Sequence, residues 1–117
     1  MKKYDETDRS TYIPLITKHC IRKVYLTDIV YIMKKQRKIL IATTKEQFEF
    51  YERFETVSEN LDNRFFRCLQ HLIINLENVE RMENQNIYFC NGETIGLGRD
   101  NYVRARQRYG AYLKKLL

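Results

Sequence analysis

The chain has 117 residues, 44% of them hydrophobic, which is enough to bury the core of one domain and argues against wholesale disorder. Apolar runs such as residues 39–42 are far shorter than the roughly 20 residues of a membrane-spanning helix, and residues 1–6 lack the apolar stretch of a signal peptide. The formal charge of +6 favours an acidic partner such as nucleic acid, and we expect a cytoplasmic protein.

The first half of the chain is predicted to form short strands, because segments rich in Ile, Val and Tyr alternate with polar turns. Two of these segments flank the charged turn of Lys35, Gln36 and Arg37, as the strands of a hairpin would. A later segment alternates phenylalanines with more polar residues, the pattern of a half-buried strand. The predicted strands cover residues 12–17, 20–26, 29–34, 38–43 and 46–51.

The middle of the chain carries the signals of one short helix and of further hairpins. Thr56 and Glu59 match a capping box, which predicts a short helix with Thr56 as its N-cap. Asn91-Gly92 is typical of a type I′ turn, in which both central residues must accept positive φ. The remaining predicted strands cover residues 65–69, 72–76, 79–83, 87–90 and 94–97.

Residues 100–117 are predicted to form a C-terminal helix, because apolar residues recur at spacings of three and four. Arg104, Arg108 and Lys115 lie away from this apolar stripe. The stripe consists of Tyr102, Ala105, Tyr109, Tyr112, Leu113 and Leu116.

Nothing in the sequence predicts catalysis. Cys20, Cys68 and Cys90 are far apart and form no CxxC pair, so we interpret them as small buried hydrophobic residues. His19 and His71 have no nucleophile and acid spaced to converge on them, and two ligands are too few for a structural zinc site. We therefore expect no catalytic residues, no metal site, no cofactor and no small-molecule substrate.

Charge is unevenly distributed along the chain. Residues 18–38 hold seven basic residues against one acidic, and residues 99–117 hold six against one. Residues 46–62 hold six acidic residues against one basic. If this separation persists in space, one face attracts phosphates and another repels them.

Three segments are candidates for contact with nucleic acid. A turn with four cations between Lys34 and Lys38 costs self-repulsion unless solvent or phosphates receive it; a solvated loop is the alternative. Arg67 and the residues that follow it place polar groups between two apolar strands, again with an ordinary loop as the alternative. Arg99 opposes the helix dipole at the predicted helix start, which favours a ligand-binding role. The alternative is that Arg99 anchors the helix through Asp62 or a glutamate.

The ordered motifs resemble the LytTR DNA-binding domain, the LytR/AlgR-type response-regulator family. They are DIVYI at 28–32, FEFY at 48–51, LDNRFFRC at 61–68, IINLENV at 73–79, NG at 91–92 and GRDNY at 98–102. Leu69 stands where the family usually has His, and Gly98 where it usually has Ser. The resemblance covers nearly the whole chain, and we expect a single domain over residues 1–117 with its core at about 22–112.

This resemblance implies a mostly β fold, with small antiparallel sheets stacked in an elongated domain, one short mid-chain helix and a C-terminal helix. It implies a bacterial transcription regulator that inserts loops into successive major grooves of double-stranded DNA. It further implies repeated half-sites and a homodimer formed on the DNA. The residues expected to bind DNA are Lys35, Gln36, Arg37, Lys38, Arg67, Gln70, His71, Arg99 and Asn101.

Two other functions are compatible with the sequence. A basic RNA-binding or ribosome-associated β protein would rely on exposed stacked aromatics, and competition between duplex DNA and RNA separates the two. A protein-interaction module would use the acidic segment 46–62, and its binding would not depend on salt.

Because the chain is too short to include a phospho-receiver domain, it is either a stand-alone regulator or a piece of a longer protein. Met1 and the strand predicted at residues 12–17 favour the stand-alone form.

Overall fold

The computed structural model describes residues Thr11 to Leu117, so the expectation for residues 1–6 and the start of the predicted domain lie outside it. The described chain forms ten strands and two α-helices, which confirms the predicted mostly β fold. None of these helices is both long and apolar enough to cross a membrane. The elements are β1 (Tyr12–Ile16), β2 (Ile21–Tyr25), β3 (Ile29–Lys35), β4 (Lys38–Thr43), β5 (Gln47–Tyr51), α1 (Phe54–Ser58), β6 (Phe65–Leu69), β7 (Leu72–Asn75), β8 (Val79–Glu83), β9 (Asn86–Phe89), β10 (Thr94–Gly96) and α2 (Arg99–Lys114).

The strands form three antiparallel sheets: β1-β2, the central sheet β5-β4-β3-β7-β6, and β10-β9-β8. In the central sheet β3 pairs with both β4 and β7, with Met33 opposite Leu40 on one side and Leu72 on the other. Because these pairings are antiparallel, the β3–β4 turn lies at the same end of the central sheet as the turn between β6 and β7. The fold thus brings two of the predicted contact segments to one end of the strands, which we call the turn edge.

The central sheet is covered on both faces. On β4, Ile39 and Ile41 belong to the core cluster shared with the β1-β2 sheet and α1, whereas Leu40 and Ala42 belong to the cluster shared with β8, β9 and α2. All four side chains are buried. A strand buried on both faces has a continuous apolar sequence, which is what residues 39–42 show.

Two local predictions were wrong. Thr56 does not cap α1, because the helix begins at Phe54 with Arg53 as its N-cap. The capping-box spacing is present, but burial of Phe54 and Val57 extends the helix towards its N-terminus. The turn with two consecutive positive φ angles joins β8 to β9 at Asn84 and Gln85, rather than lying at Asn91-Gly92.

At the predicted Asn91-Gly92 turn, only Gly92 has a positive φ, of 92°, and the Asn91 side chain accepts a hydrogen bond from the Glu93 amide at 3.0 Å. Other differences concern exposure. Cys68 is buried as predicted, but Cys20 and Cys90 are exposed. Of the predicted α2 stripe, Ala105 is buried and the three tyrosines are partly buried, whereas Leu113 and Leu116 are exposed.

Candidate nucleic-acid interface

The basic turn, residues 35–38, is held at the turn edge by strand pairing. Lys35 and Lys38 face each other as the last β3–β4 pair, and Gln36 between them adopts a positive φ of 58°. The Lys34 amide donates to the carbonyl oxygen of His71 at 2.9 Å, which ties this turn to the Gln70–His71 turn. A shallow depression lies between the two turns.

The side chains of the basic turn differ in whether they contact other residues of the protein. The Lys35 ammonium lies 3.2 Å from the Glu49 carboxylate, and the Lys38 ammonium lies 5.2 Å from the centre of the Tyr51 ring. Gln36 and Arg37 are exposed and make no side-chain hydrogen bond or ion pair with any residue from Thr11 onwards. These two groups are therefore free to meet a ligand.

The Arg67 side chain contacts the Gln70–His71 turn and forms its hydrogen bonds within the protein. Its Nε and Nη2 atoms donate to the carbonyl oxygen of Gln70 at 3.0 and 2.6 Å. Its Nη1 and Nη2 atoms donate to the two Glu55 carboxylate oxygens at 3.2 and 3.0 Å. These hydrogen bonds hold the pKa of the Glu55 carboxyl below its usual range. Most of the Arg67 donors are thus already used.

The remaining groups of this turn are open to solvent. The side chains of Leu69, Gln70 and His71 are exposed, and that of Gln70 has no hydrogen-bonding partner in the described part of the chain. A β-bulge between Arg67 and Leu69 turns Cys68 into the core. Burial raises the pKa of the Cys68 thiol to about 11, so this cysteine stays protonated at neutral pH and is no nucleophile.

The start of α2 lies beside the Gln70–His71 turn. Arg99 is the first helical residue and is exposed, and its side chain forms no ion pair or hydrogen bond within the described range 11–117. Asn101 accepts a hydrogen bond from Arg104 through its Oδ1 at 2.9 Å, which leaves its amide nitrogen available. Gln70, Asn101 and Arg104 line one shallow depression, so the second and third predicted segments adjoin each other.

Arg104 is a further basic residue of this surface, outside the set that the resemblance implies for DNA binding. Its guanidinium carbon lies 5.5 Å from the centre of the Phe66 ring, which fixes it over β6 beside the Gln70–His71 turn. Its position off the apolar stripe of α2 was the available signal, but only the packing of α2 on β6 distinguishes it from the other arginines of the helix.

Acidic and basic segments do not separate in space as they do along the chain. Glu46 lies 3.3 Å from Arg22, in addition to the pairs of Glu49 with Lys35 and Glu55 with Arg67. The reason is that β5 pairs with β4 and α1 follows β5, which places both beside basic strands. Several acidic residues of this segment are therefore paired with basic residues from other elements of the fold.

No group of three or more His, Cys, Asp or Glu side chains suited to a metal ion occurs within residues 11–117. The arrangement offers exposed arginine, amide and imidazole groups on neighbouring turns. Such groups suit the hydrogen-bond acceptors of phosphates and base edges.

Comparison with known proteins identifies the family. The family model of the LytTr DNA-binding domain matches residues 19–110. The accessory gene regulator protein A of Staphylococcus epidermidis is 34% identical over 61 residues, and that of Staphylococcus aureus is 33% identical over 61 residues. Each match covers 50% of this chain and 25% of the relative, so the chain matches only a quarter of these proteins' length.

A solved LytTr DNA-binding domain of a Bacillus cereus response regulator has the same fold. Its TM-score is 0.70 at 16% sequence identity, and the superposition covers 86% of this chain and 98% of that domain. At this identity the likeness concerns the fold alone. The family match over most of the sequence establishes that the chain belongs to the LytTr DNA-binding domain family, a family of DNA-binding modules and not of enzymes.

Proposed function

We propose that this chain recognises specific sequences in double-stranded DNA as the DNA-binding domain of a bacterial transcription regulator. In this proposal the basic turn, the Gln70–His71 turn and the start of α2 enter successive major grooves. The observation that carries it is the location of the first two segments together at the turn edge, with the third adjoining them. The exposed, unoccupied side chains of Arg37 and Arg99 support it further.

The proposed contacts divide into base reading and phosphate binding. Arginine presents a planar fork that matches the O6 and N7 acceptors of guanine, so Arg37 and Arg99 are the proposed base readers. Lysine carries a compact charge suited to phosphate, so Lys35 and Lys38 are proposed to hold the backbone. The amide and imidazole groups of Gln36, Gln70, His71 and Asn101 are proposed to add hydrogen bonds to bases or phosphates.

Selection of bound sequences from a random pool of duplex DNA tests this function. We expect an enriched motif, and tighter binding to the selected duplex than to a random duplex or to RNA of equal length. Equal affinity for all three, or preference for the RNA, would overturn sequence-specific DNA recognition.

Binding should weaken steeply as salt concentration rises. Each phosphate contacted releases counterions and contributes a slope of roughly −0.9 to log K against log salt. Lys35→Ala should weaken binding to the selected and the random duplex by a similar factor and make the slope shallower by about one. Titration of both duplexes at several salt concentrations measures this, and a salt-independent affinity would contradict the phosphate contacts.

Free protein is expected to be monomeric and to pair only on DNA. We propose that two copies bind two repeated half-sites as a homodimer, since the sequence has no apolar heptad seam for a dimer in solution. Sedimentation of the protein alone should give one copy, and with a duplex of two half-sites two copies. A stable dimer without DNA would exclude this order of assembly.

A further inference from the structure

The Gln70–His71 turn is attached to α1 through a compact group of side chains. Phe54, the first residue of α1, is buried. The Arg67 guanidinium carbon lies 4.9 Å from the centre of the Phe54 ring. The His71 ring meets the same phenylalanine edge-on, with ring centres 6.3 Å apart and an interplanar angle of 86°. With the Arg67–Glu55 ion pair, two residues of α1 thus contact both sides of the turn.

We propose that Arg67 is a positioning residue that fixes the Gln70–His71 turn for DNA, and that α1 is the support to which it fastens the turn. This inference rests on the proposed function. Arg67 connects the Gln70 carbonyl to Glu55 and Phe54, and it leaves the side chains of Gln70 and His71 to meet the DNA. We call the contacts among Glu55, Phe54, Arg67 and the Gln70 carbonyl the turn clasp.

The geometry of the clasp requires a guanidinium. One planar group donates to a backbone carbonyl through two nitrogens and to both oxygens of one carboxylate. An ammonium is a point charge without a flat face, so a lysine cannot reproduce the paired hydrogen bonds and the stacking together.

Holding the turn before DNA arrives has a direct benefit. Ordering loop and side-chain groups at an interface opposes binding, and a turn already fastened within the protein avoids part of that cost. A functional group that is supported by packed neighbours also keeps its geometry more closely. The clasp should therefore favour the sequence that fits the fixed turn more than it favours random DNA.

The alternative role is that Arg67 leaves Glu55 and binds a phosphate. In that case Glu55 competes with DNA, and its removal strengthens binding. In the positioning role its removal loosens the turn and weakens binding to the preferred sequence. The two roles therefore predict opposite signs for one substitution.

The test compares Glu55→Ala with Glu49→Ala in the full chain. Both variants remove one negative charge from a carboxylate paired with a basic residue of the interface, but only the first breaks the clasp. The probes are a duplex recovered by selection from a random pool and a random duplex of equal length. Thermal melting is recorded for each variant.

For Glu55→Ala we expect about a three- to tenfold loss of affinity for the selected duplex and no loss for the random duplex. For Glu49→Ala we expect a gain on both duplexes, because Lys35 is released from its partner. Arg67→Lys should reproduce the loss of Glu55→Ala, and the double variant should lose little more, since both residues act through one clasp.

A gain for Glu55→Ala, or full affinity for Arg67→Lys, would overturn the positioning role and assign Arg67 to phosphate contact. A variant that is partly unfolded lowers both affinities alike, and an unchanged ratio of selected to random affinity would also count against the proposal. If the unaltered protein itself shows no preference for a selected duplex, the proposed function fails, and that result is distinct from either outcome above.

Discussion

Replacing Asn75 with alanine should destabilise the fold by about 3 kcal/mol, because three hydrogen bonds of a buried side chain, each contributing about 1 kcal/mol, are lost. Asn75 is fully buried at the end of β7. Its Nδ2 donates to the carbonyl oxygens of Leu26 at 3.2 Å and Ile29 at 2.8 Å, and its Oδ1 accepts from the Glu77 amide at 2.9 Å. One side chain thus joins the 3-10 turns Leu26–Asp28 and Leu76–Asn78, which lead into β3 and β8.

Asn78 provides the matched control for this prediction. Its Nδ2 donates to the carbonyl oxygens of Thr27 at 3.0 Å and Ile29 at 2.7 Å, but the residue is only partly buried. Water can replace part of the hydrogen bonding that Asn78→Ala removes, so we expect the free energy of unfolding to fall by about 1 kcal/mol. Asn75→Asp keeps the volume but points a carboxylate at two carbonyl oxygens, so it should be at least as damaging as Asn75→Ala.

Thermal and denaturant unfolding measure these differences. A loss of about 3 kcal/mol corresponds to a fall in melting temperature of about 10–20 °C for a domain of this size. Equal losses for Asn75→Ala and Asn78→Ala would contradict the role of complete burial. Tolerance of Asn75→Asp would show that the hydrogen bonds contribute little and that only the packed volume matters.

Local sequence patterns predicted the strands of this fold well. The β3–β4 hairpin was predicted from two apolar segments around a charged turn, and its pairing is local, with Lys35 opposite Lys38. Side-chain alternation and turn residues carry this information over a few positions. Errors arose where burial outweighed local preference, as at the start of α1, where Phe54 precedes the expected cap Thr56.

The arrangement of the strands in three sheets required information that a local pattern does not contain. Tyr31 pairs with Ile74, and nothing near either residue specifies the other. This long-range pairing brings the basic turn beside the Gln70–His71 turn. The resemblance to a family suggested that these segments act together, whereas composition and periodicity predicted only that each was polar and exposed.

The sequence also does not show which basic residues of the candidate site are paired with acidic residues of the protein. Glu49 reaches Lys35 because β5 pairs with β4, and Glu55 reaches Arg67 because α1 packs near the end of β6. Charge counts along the chain had separated these acidic residues from the basic ones. The pairs depend on strand order and helix placement, so the distinction between the bound Arg67 and the free Arg99 needed the fold.

Arg99→Ala should reduce affinity for the selected duplex by about 1–3 kcal/mol, roughly five- to 150-fold, and change affinity for random DNA little. The physical reason is that loss of a paired guanidinium leaves guanine acceptors unmatched only where the preferred base is present. The melting temperature should not fall, because Arg99 is exposed and makes no hydrogen bond or ion pair with residues 11–117. Removing a cation from the first turn of α2 even relieves a small unfavourable interaction with the helix dipole.

Arg106→Ala is the matched control, since it removes the same charge from an exposed position of the same helix, on the groove between α2 and β8. It should weaken binding to both duplexes slightly and equally. The competing role, in which Arg99 anchors α2 through Asp62, has no support in the geometry, because Asp62 lies 3.0 Å from Arg64 and Arg99 forms no ion pair in the described part of the chain. That role predicts a lower melting temperature and a uniform loss of binding for Arg99→Ala. Affinities for both duplexes, measured beside thermal stability, separate the two, and a uniform loss with destabilisation would exclude base reading by Arg99.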